Sequence, residues 1–376
     1  MAGRSSTQRA TRPASGLRVA VTLEQCWHRV PGGTARAALE LVDAIRRTGR
    51  AELIGVAARH GADPPEPWVP TVPVAMLAVP RVVLYETWHR CGWPPVDQGT
   101  GPVDVIHATG VAMPPRSAPI VATLHDLAFL RHPDFFTRRG LRFFHASLQR
   151  MRRDAALVLC SSEATRRDAE AAGFAAERLR VVPLGVRAPH VDRAQVAATL
   201  RRLGIDGRYV LHLGTAEPRK NTAALVRIAP SLPEDVTVVL AGGAGWGDVP
   251  APRDDHRVHD VGFVGEADKW ALLAGAAVCC VPSLWEGFGL PALEAMAVGA
   301  PVVTSAGTAL EEVVADAGIC VDPRDDVALG AALASVLEDS VTAAEFASRG
   351  RERAATFTWE RTAAATLDAY TTVAAA

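Results

Sequence analysis

Ser283-Leu284-Trp285-Glu286-Gly287-Phe288-Gly289-Leu290-Pro291-Ala292-Leu293-Glu294-Ala295-Met296-Ala297-Val298-Gly299-Ala300-Pro301-Val302-Val303-Thr304 is the stretch that decides the fold. An apolar strand, Ala277 to Pro282, runs into it, glycines open a loop, and Pro291 stands where the first turn of a helix accepts proline. Strand, glycine-bearing turn and helix in that order form the unit of a parallel sheet with helical crossovers. Unpaired amides at the helix start make the turn a ready anion site. Glu286 precedes the loop and Glu294 is expected in the first helical turn, with seven residues between them. Two carboxylates there would repel a bare phosphate. They suit a ligand whose phosphates are flanked by hydroxyl-bearing rings, as in a sugar nucleotide.

Outward from this unit the same theme repeats. Strands are expected at Leu17–Leu23, Leu53–Ala58, Val103–His107, Ile120–Leu124, Leu157–Ser161 and Val181–Val186, with a helix from about Ala35 to Thr48. After a charged stretch from Arg187 to Arg208, further strands are expected at Tyr209–Leu213, Val236–Ala241, Val258–Phe263, Ala277–Pro282, Pro301–Thr304 and Gly318–Val321. A chain of 376 residues exceeds what one core usually serves, so two doubly wound α/β domains are expected. The divisions are a tail at 1–16, domains at 17–188 and 189–355, and a last helix within 356–376. Open sheets of this kind bind ligands at strand carboxyl ends, here facing the cleft between the halves.

Of 40 basic residues only Lys220 and Lys269 are lysine, a skew that suits the codon bias of a GC-rich genome and makes each surviving lysine informative. Lys220 lies in Leu211-His212-Leu213-Gly214-Thr215-Ala216-Glu217-Pro218-Arg219-Lys220-Asn221, again a strand, a glycine turn and a helix start. Positive charge is mildly unfavourable at that end of a helix, so the pair asks for an anion. A guanidinium fork beside an ammonium can neutralise a diphosphate.

The filled spacing from Glu286 to Glu294 resembles the Glu-Gly-Phe-Gly-Leu-Pro-x-x-Glu signature of family-four retaining glycosyltransferases of the GT-B fold, and the likeness extends over about residues 17–375. It implies that Glu286 contacts the donor hexose, that the Phe288, Gly289 and Leu290 amides reach sugar and phosphate, and that Glu294 binds the ribose. Gly214, Thr215, Arg219 and Lys220 are similar to the family's pyrophosphate motif. Val261-Gly262-Phe263-Val264-Gly265 resembles the segment whose backbone meets the base, which assigns Val264 to the donor. In Thr123-Leu124-His125-Asp126-Leu127 the resemblance places His125 at the donor sugar, with Asp126 orienting the loop and His107 behind. Gly32 and Gly33 would let the first domain's backbone approach the donor phosphate; a flexible loop is the other reading. The patterns look most like bacterial mannosyltransferases, which makes GDP-mannose the first choice of donor and leaves UDP-glucose or another nucleotide hexose open, with a glycan, lipid-linked or small-molecule acceptor. The last helix is expected to cross back onto the first domain.

Two other functions fit the same motifs: a GT-B-type sugar-nucleotide epimerase and a non-catalytic sugar-nucleotide-binding protein. A NAD-dependent enzyme is disfavoured, because from Gly243 the third glycine position of GxGxxG is Asp248. No DxD-type site stands where a metal would be needed, so no cofactor is expected and the cationic pair replaces the metal. A net charge of -1 gives no electrostatic reason to expect nucleic acid. Six cysteines without metal spacing read as small buried hydrophobes in a reducing compartment. No apolar run reaches the roughly 18 residues of a membrane span, and the acid-poor tail lacks a signal's apolar core, so a cytoplasmic protein is expected. Residues 131–153 interleave arginines with Phe135, Phe136, Phe143 and Phe144. They read either as a peripheral contact with an anionic membrane face or as a helix with one core face and one solvated face.

Overall fold

The computed structural model describes residues 16–243, 245 and 256–376. The expected tail, apart from Gly16, lies outside the described residues, as do Ala244, Trp246, Gly247 and Asp248 of the glycine-rich stretch.

Two parallel sheets carry the chain. The first comprises β1 (Leu17–Thr22), β2 (Ala51–Ala57), β3 (Val74–Met76), β4 (Val105–Ala108), β5 (Ile120–Leu124), β6 (Ala155–Cys160) and β7 (Leu179–Val181), in the order β3-β2-β1-β4-β5-β6-β7. The second comprises β8 (Arg208–Leu213), β9 (Val236–Ala241), β10 (Val258–Gly262), β11 (Val278–Val281), β12 (Val302–Ser305) and β13 (Ile319–Val321), in the order β10-β9-β8-β11-β12-β13. Helices cover both faces of such sheets, so their strands read as unbroken apolar runs. Val278, Cys279, Cys280 and Val281 accordingly have no exposed surface.

Six helices bear on the site: α1 (Gly32–Thr48), α2 (Arg81–Arg90), α3 (Arg138–Asp154), α4 (Glu266–Gly275), α5 (Leu290–Val298) and α6 (Trp359–Ala374). α6 crosses back onto the first sheet's layer and packs on α1. There Thr362 Oγ1 donates to the Pro183 carbonyl at 2.8 Å, and Trp359 and Tyr370 are buried.

Several expectations shift. β3 went unread because three residues are too short to show alternation. β7 ends at Val181 rather than Val186, because the chain beyond it is taken up by the returning C-terminal segment: Val186 N–H donates to the Phe357 carbonyl at 3.0 Å. The stretch 187–208 contains a helix, Arg193–Leu203, behind an Asp192 capping box. Gly32 and Gly33 begin α1 and are not a free loop. Cys91 is exposed and Cys320 partly so, which corrects the expectation that the cysteines are buried. In the 131–153 segment the aromatics pack inward: Phe144 stacks on Phe129 at 5.3 Å, and Phe143 meets Tyr85 at 5.5 Å and His89 at 4.8 Å. Arg138, Arg139, Arg142, Arg152 and Arg153 stay exposed along α3. Among the described residues no single helix is long and apolar enough to cross a membrane.

Candidate functional site

Each sheet reverses its order once, between β8 and β11 and between β1 and β4. Crevices at such reversals are where open α/β sheets bind ligands. The two lysines and two glutamates singled out from sequence follow strands of the second sheet.

After β8 the chain makes a tight 3-10 turn, Pro218–Lys220, and then adopts the left-handed conformation at Asn221, with φ of 52°. Asparagine tolerates this, and its side-chain amide donates to the carbonyls of Pro282 at 3.2 Å and Pro323 at 2.7 Å. Those bonds tie the turn to the end of β11, where the Glu286 loop begins. Lys220 Nζ lies 2.6 Å from Glu286 Oε1, Ser283 Oγ donates to the same oxygen at 2.8 Å, and Arg219 reaches Glu286 Oε2 at 3.3 Å. Arg219 also donates to Glu217 Oε1 at 2.8 Å and to the Trp285 carbonyl at 3.1 Å. The cationic pair that asked for an anion is therefore answered within the chain by two buried carboxylates. Burial alone would raise the Glu286 carboxyl; the charges of Lys220 and Arg219, with hydrogen bonds from Lys220 and Ser283, outweigh it and hold the group at about 2. Burial takes His212, beneath this cluster, down to about 4, so it is neutral.

Glu294 has a parallel arrangement. It lies one residue deeper in α5 than expected, just past the first turn, because the helix starts at Leu290. Its Oε1 accepts from Lys269 Nζ of α4 at 2.6 Å. Lys269 also lies 3.2 Å from Glu266 Oε2, and Glu266 pairs with Arg36 of α1 across the two sheets' layers. Burial raises the Glu294 carboxyl, while Lys269 and, more weakly, Arg36 oppose that rise. Thus each of the chain's two lysines holds one of the two motif glutamates. Arg36, Arg187, Lys269, Leu290 and Glu294 line a cavity of about 790 Å3. Ligand pockets generally run to roughly 300–1,000 Å3.

The first sheet's groups close on this surface. Gly287 lies so near the His125–Asp126 loop that a β-carbon on it would overlap the His125 carbonyl oxygen. Ser161 Oγ bridges the same junction, donating to the carbonyls of His125 at 2.8 Å and Gly287 at 2.9 Å. His125 Nε2 lies 3.2 Å from the Thr109 carbonyl, and burial lowers its pKa. His107 lies behind: Nδ1 is 2.6 Å from Tyr370 Oη of α6, Nε2 is 2.8 Å from Thr123 Oγ1, and burial takes it down to about 3. Arg131 stacks over Trp285 at 4.6 Å while pairing with Asp168, which fastens the loop next to Glu286.

His125, Arg219, Lys220 and Glu286 thus converge on one junction. Gly33 faces the start of α5, where a β-carbon on it would stand 3.8 Å from Leu290 Cδ1. Gly214 and Thr215 lie on the turn after β8, where Gly242 packs so closely that no side chain fits. Val264 is partly exposed beside α4, and the neighbouring Phe263 is 72% exposed. Phe288 is buried, its ring edge-on to Phe357 at 5.9 Å, so only its backbone is offered to a ligand. Gly289 caps α5 with φ of 99°. The sequence reading gave no role to Glu217, Ser283, Asn221 or Arg36. Lys269 had a signal, its rarity, but its partner is 25 residues away and visible only once α4 and α5 pack.

Residues 31–188 match the family model described as Glycosyltransferase Family 4, and residues 201–353 match Glycosyl transferases group 1. Over 280 residues the chain is 31% identical to O-antigen chain mannosyltransferase B of Escherichia coli, covering 71% of this chain and 74% of that protein. The chain belongs to the group 1 glycosyltransferases. It is an enzyme of the hexosyltransferase class. Phosphatidyl-myo-inositol mannosyltransferase of Mycolicibacterium smegmatis is 29% identical across 92% of each chain. In fold this glycosyltransferase is similar to sucrose-phosphate synthase of Thermosynechococcus elongatus, with a TM-score of 0.75, 22% identity and coverage of 96% of this chain and 99% of that one. It is likewise similar to the Anabaena HepE protein crystallised with UDP and glucose, with a TM-score of 0.73, 20% identity and coverage of 95% and 100%. The architecture of two facing parallel sheets is that of GT-B glycosyltransferases.

Proposed function

We propose that the enzyme is a retaining, metal-independent mannosyltransferase that takes mannose from GDP-mannose and delivers it to a glycan, lipid-linked or small-molecule acceptor. The observation that carries this reading is the buried cluster of Lys220, Arg219 and Glu286 against the His125 loop. The names of the similar mannosyltransferases support the choice of hexose.

Breaking the bond between C1 and the diphosphate places charge on the leaving group. Arg219 and Lys220 are fixed beforehand to meet it, in a site that excludes water. An ammonium has three donors and Glu286 uses one, so Lys220 keeps donors for a phosphate oxygen. The bond from Arg219 to Glu286 Oε2, at 3.3 Å, is long and leaves that oxygen able to accept from a sugar hydroxyl. His125, neutral in its buried place, hydrogen-bonds the hexose near C1 or its C6 hydroxyl. Glu294 accepts from the ribose hydroxyls. Retention follows from attack on the same face through an oxocarbenium-like state, without a covalent bond to Glu286.

The test is a panel of nucleotide sugars read by thermal stabilisation, where ligand at a hundredfold its dissociation constant adds about 2.7 kcal/mol. Product anomeric configuration is then read by NMR. Stabilisation by UDP-glucose and not by GDP-mannose would overturn the donor; a β-linked mannoside would overturn retention. The exposed arginines of α3 favour peripheral contact at the inner membrane face, and salt-reversible co-sedimentation with anionic vesicles checks it.

A further inference from the structure

A second group of side chains at the carboxyl ends of the first sheet takes no part in the donor site. The turn after β1 brings Trp27, the segment after β2 brings His60, and the start of α2 after β3 brings Arg81. Three neighbouring strands thus present them along one edge. Trp27 and His60 stack with ring centroids 4.9 Å apart and planes 9° apart. The indole N–H is used by the Ala62 carbonyl at 2.9 Å. His60 Nε2 is held at 3.0 Å by Oε1 of Glu24, a buried carboxylate that also accepts from the Ala58 amide at 2.7 Å. Side chain, ring and carboxylate lock one another, yet Trp27 and His60 both keep part of their surface exposed.

Arg81 is the unusual member. It is partly buried, makes only a 3.4 Å bond to the Trp27 carbonyl, and forms no ion pair among the described residues. Arg29 and Arg59, in the same segments, are exposed and also lack an ion pair among the described residues. Glu24, the buried carboxylate of this group, is already occupied by His60 and the backbone. Arg81 is therefore a partly buried guanidinium left to meet an anion.

We propose that Trp27, His60 and Arg81 form an acceptor subsite for a pyranose that carries an anionic group, phosphate or carboxylate. This rests on the glycosyltransferase reading and names the chemistry of its acceptor. The apolar C–H face of a pyranose lies on the indole, whose ring face is electron-rich, and Arg81 pairs with the anion through its fork.

The subsite is continuous with the reaction centre. Gln25, two residues before Trp27, donates to Thr109 Oγ1 at 2.8 Å, and the Thr109 carbonyl meets His125. Neighbouring strands lie about 4.8 Å apart, so β1 stands about 10 Å and β3 about 19 Å from β5, which carries His125. The ring held at Trp27 is therefore not the one that accepts the hexose but a unit beyond it, and the acceptor has more than one residue.

The test uses methyl α-mannoside, mannose 6-phosphate and methyl glucuronide as probes, read by saturation-transfer NMR on the full chain with GDP present. Both anionic sugars should bind the wild type. Arg81→Gln should weaken them about tenfold and leave the neutral sugar unchanged. Trp27→Ala should weaken all three, and Trp27→Phe, which keeps a ring and protects against loss of folding, should restore them. Preference for phosphate or for carboxylate identifies which anion the acceptor carries. Absence of anionic-sugar binding in the wild type, or equal binding in Arg81→Gln, overturns the subsite. Stabilisation by GDP, followed on the same samples, reports the donor site separately: its loss with sugar binding intact counts against the donor reading alone.

Discussion

Replacing Lys220 by Met tests the cluster twice over, once as an electrostatic device and once as catalytic machinery. Glu286 is 6% exposed and held by Lys220 at 2.6 Å, Ser283 at 2.8 Å and Arg219 at 3.3 Å. Removing the ammonium leaves a buried carboxylate with one long charged contact and one neutral donor. Breaking a buried pair generally costs about 3–5 kcal/mol, and the surviving Arg219 places this case near 3. The ionisation of Glu286 gives a similar figure, since a shift from 4.5 to about 2 corresponds to about 3 kcal/mol. Because the folded value is depressed, that stability is present above pH 4.5 and is lost as the pH falls toward 2. Lys220→Met should therefore lower the melting temperature by roughly 6–12 °C at pH 7. It should also move acid unfolding to higher pH. Adding Glu286→Gln removes the stranded charge, so the double variant should regain most of the loss, a coupling of about 1–3 kcal/mol. Turnover behaves differently: both variants lack the charge that meets the leaving diphosphate, so each should fall about a hundredfold or more. Thermal unfolding from pH 3 to 8 and mannosyl transfer from GDP-mannose supply the readings. A double variant no more stable than Lys220→Met, or turnover of Lys220→Met within about threefold of wild type, would refute the reasoning.

Four further expectations concern the donor and its leaving group. Glu294→Gln should raise KM and weaken GDP, whereas Glu286→Gln should lower kcat and hardly alter GDP affinity; steady-state kinetics with calorimetry would expose the reverse pattern. Lys269→Met should push the already raised Glu294 carboxyl higher, so GDP affinity should fall at a higher pH than in wild type, as calorimetry between pH 5 and 8 would show. The proposed donor site sets Phe263, 72% exposed beside Val264, against the nucleobase, so Phe263→Ala should weaken GDP by about 1–3 kcal/mol without changing kcat. Activity should survive EDTA, and full loss restored by magnesium or manganese would show that the leaving group is neutralised by a metal.

Much of the architecture was legible locally. The apolar runs that became β1, β5, β9 and β11 are short, rich in β-branched or small apolar residues and bounded by glycine or polar turns, so periodicity and punctuation place them without tertiary help. The Glu286 loop was legible for the same reason: Gly287, Gly289 and Pro291 set backbone conformations that neighbouring residues largely determine. β3 and the true end of β7 were not, because each depends on what lies alongside. Three residues at a sheet edge carry no pattern, and Pro183 and Val186 bond the returning C-terminal segment.

The chain's residues by themselves determined that two parallel-sheet units exist, that a glycine-bearing strand-turn-helix unit in the second carries Glu286 and Glu294, and that Lys220 and Lys269 are the two rare lysines. Packing alone decided what those lysines do. Lys220 and Glu286 are 66 residues apart, and Lys269 and Glu294 belong to different helices. An ion pair is set by distance and burial in space, which no local spacing encodes. The same holds for Arg36 pairing with Glu266 across the two layers, and for His125 resting on Gly287. Sequence specifies local geometry because backbone conformation is a near-neighbour property. The charge balance of the site is a sum over groups that meet only after both sheets have folded and closed on each other.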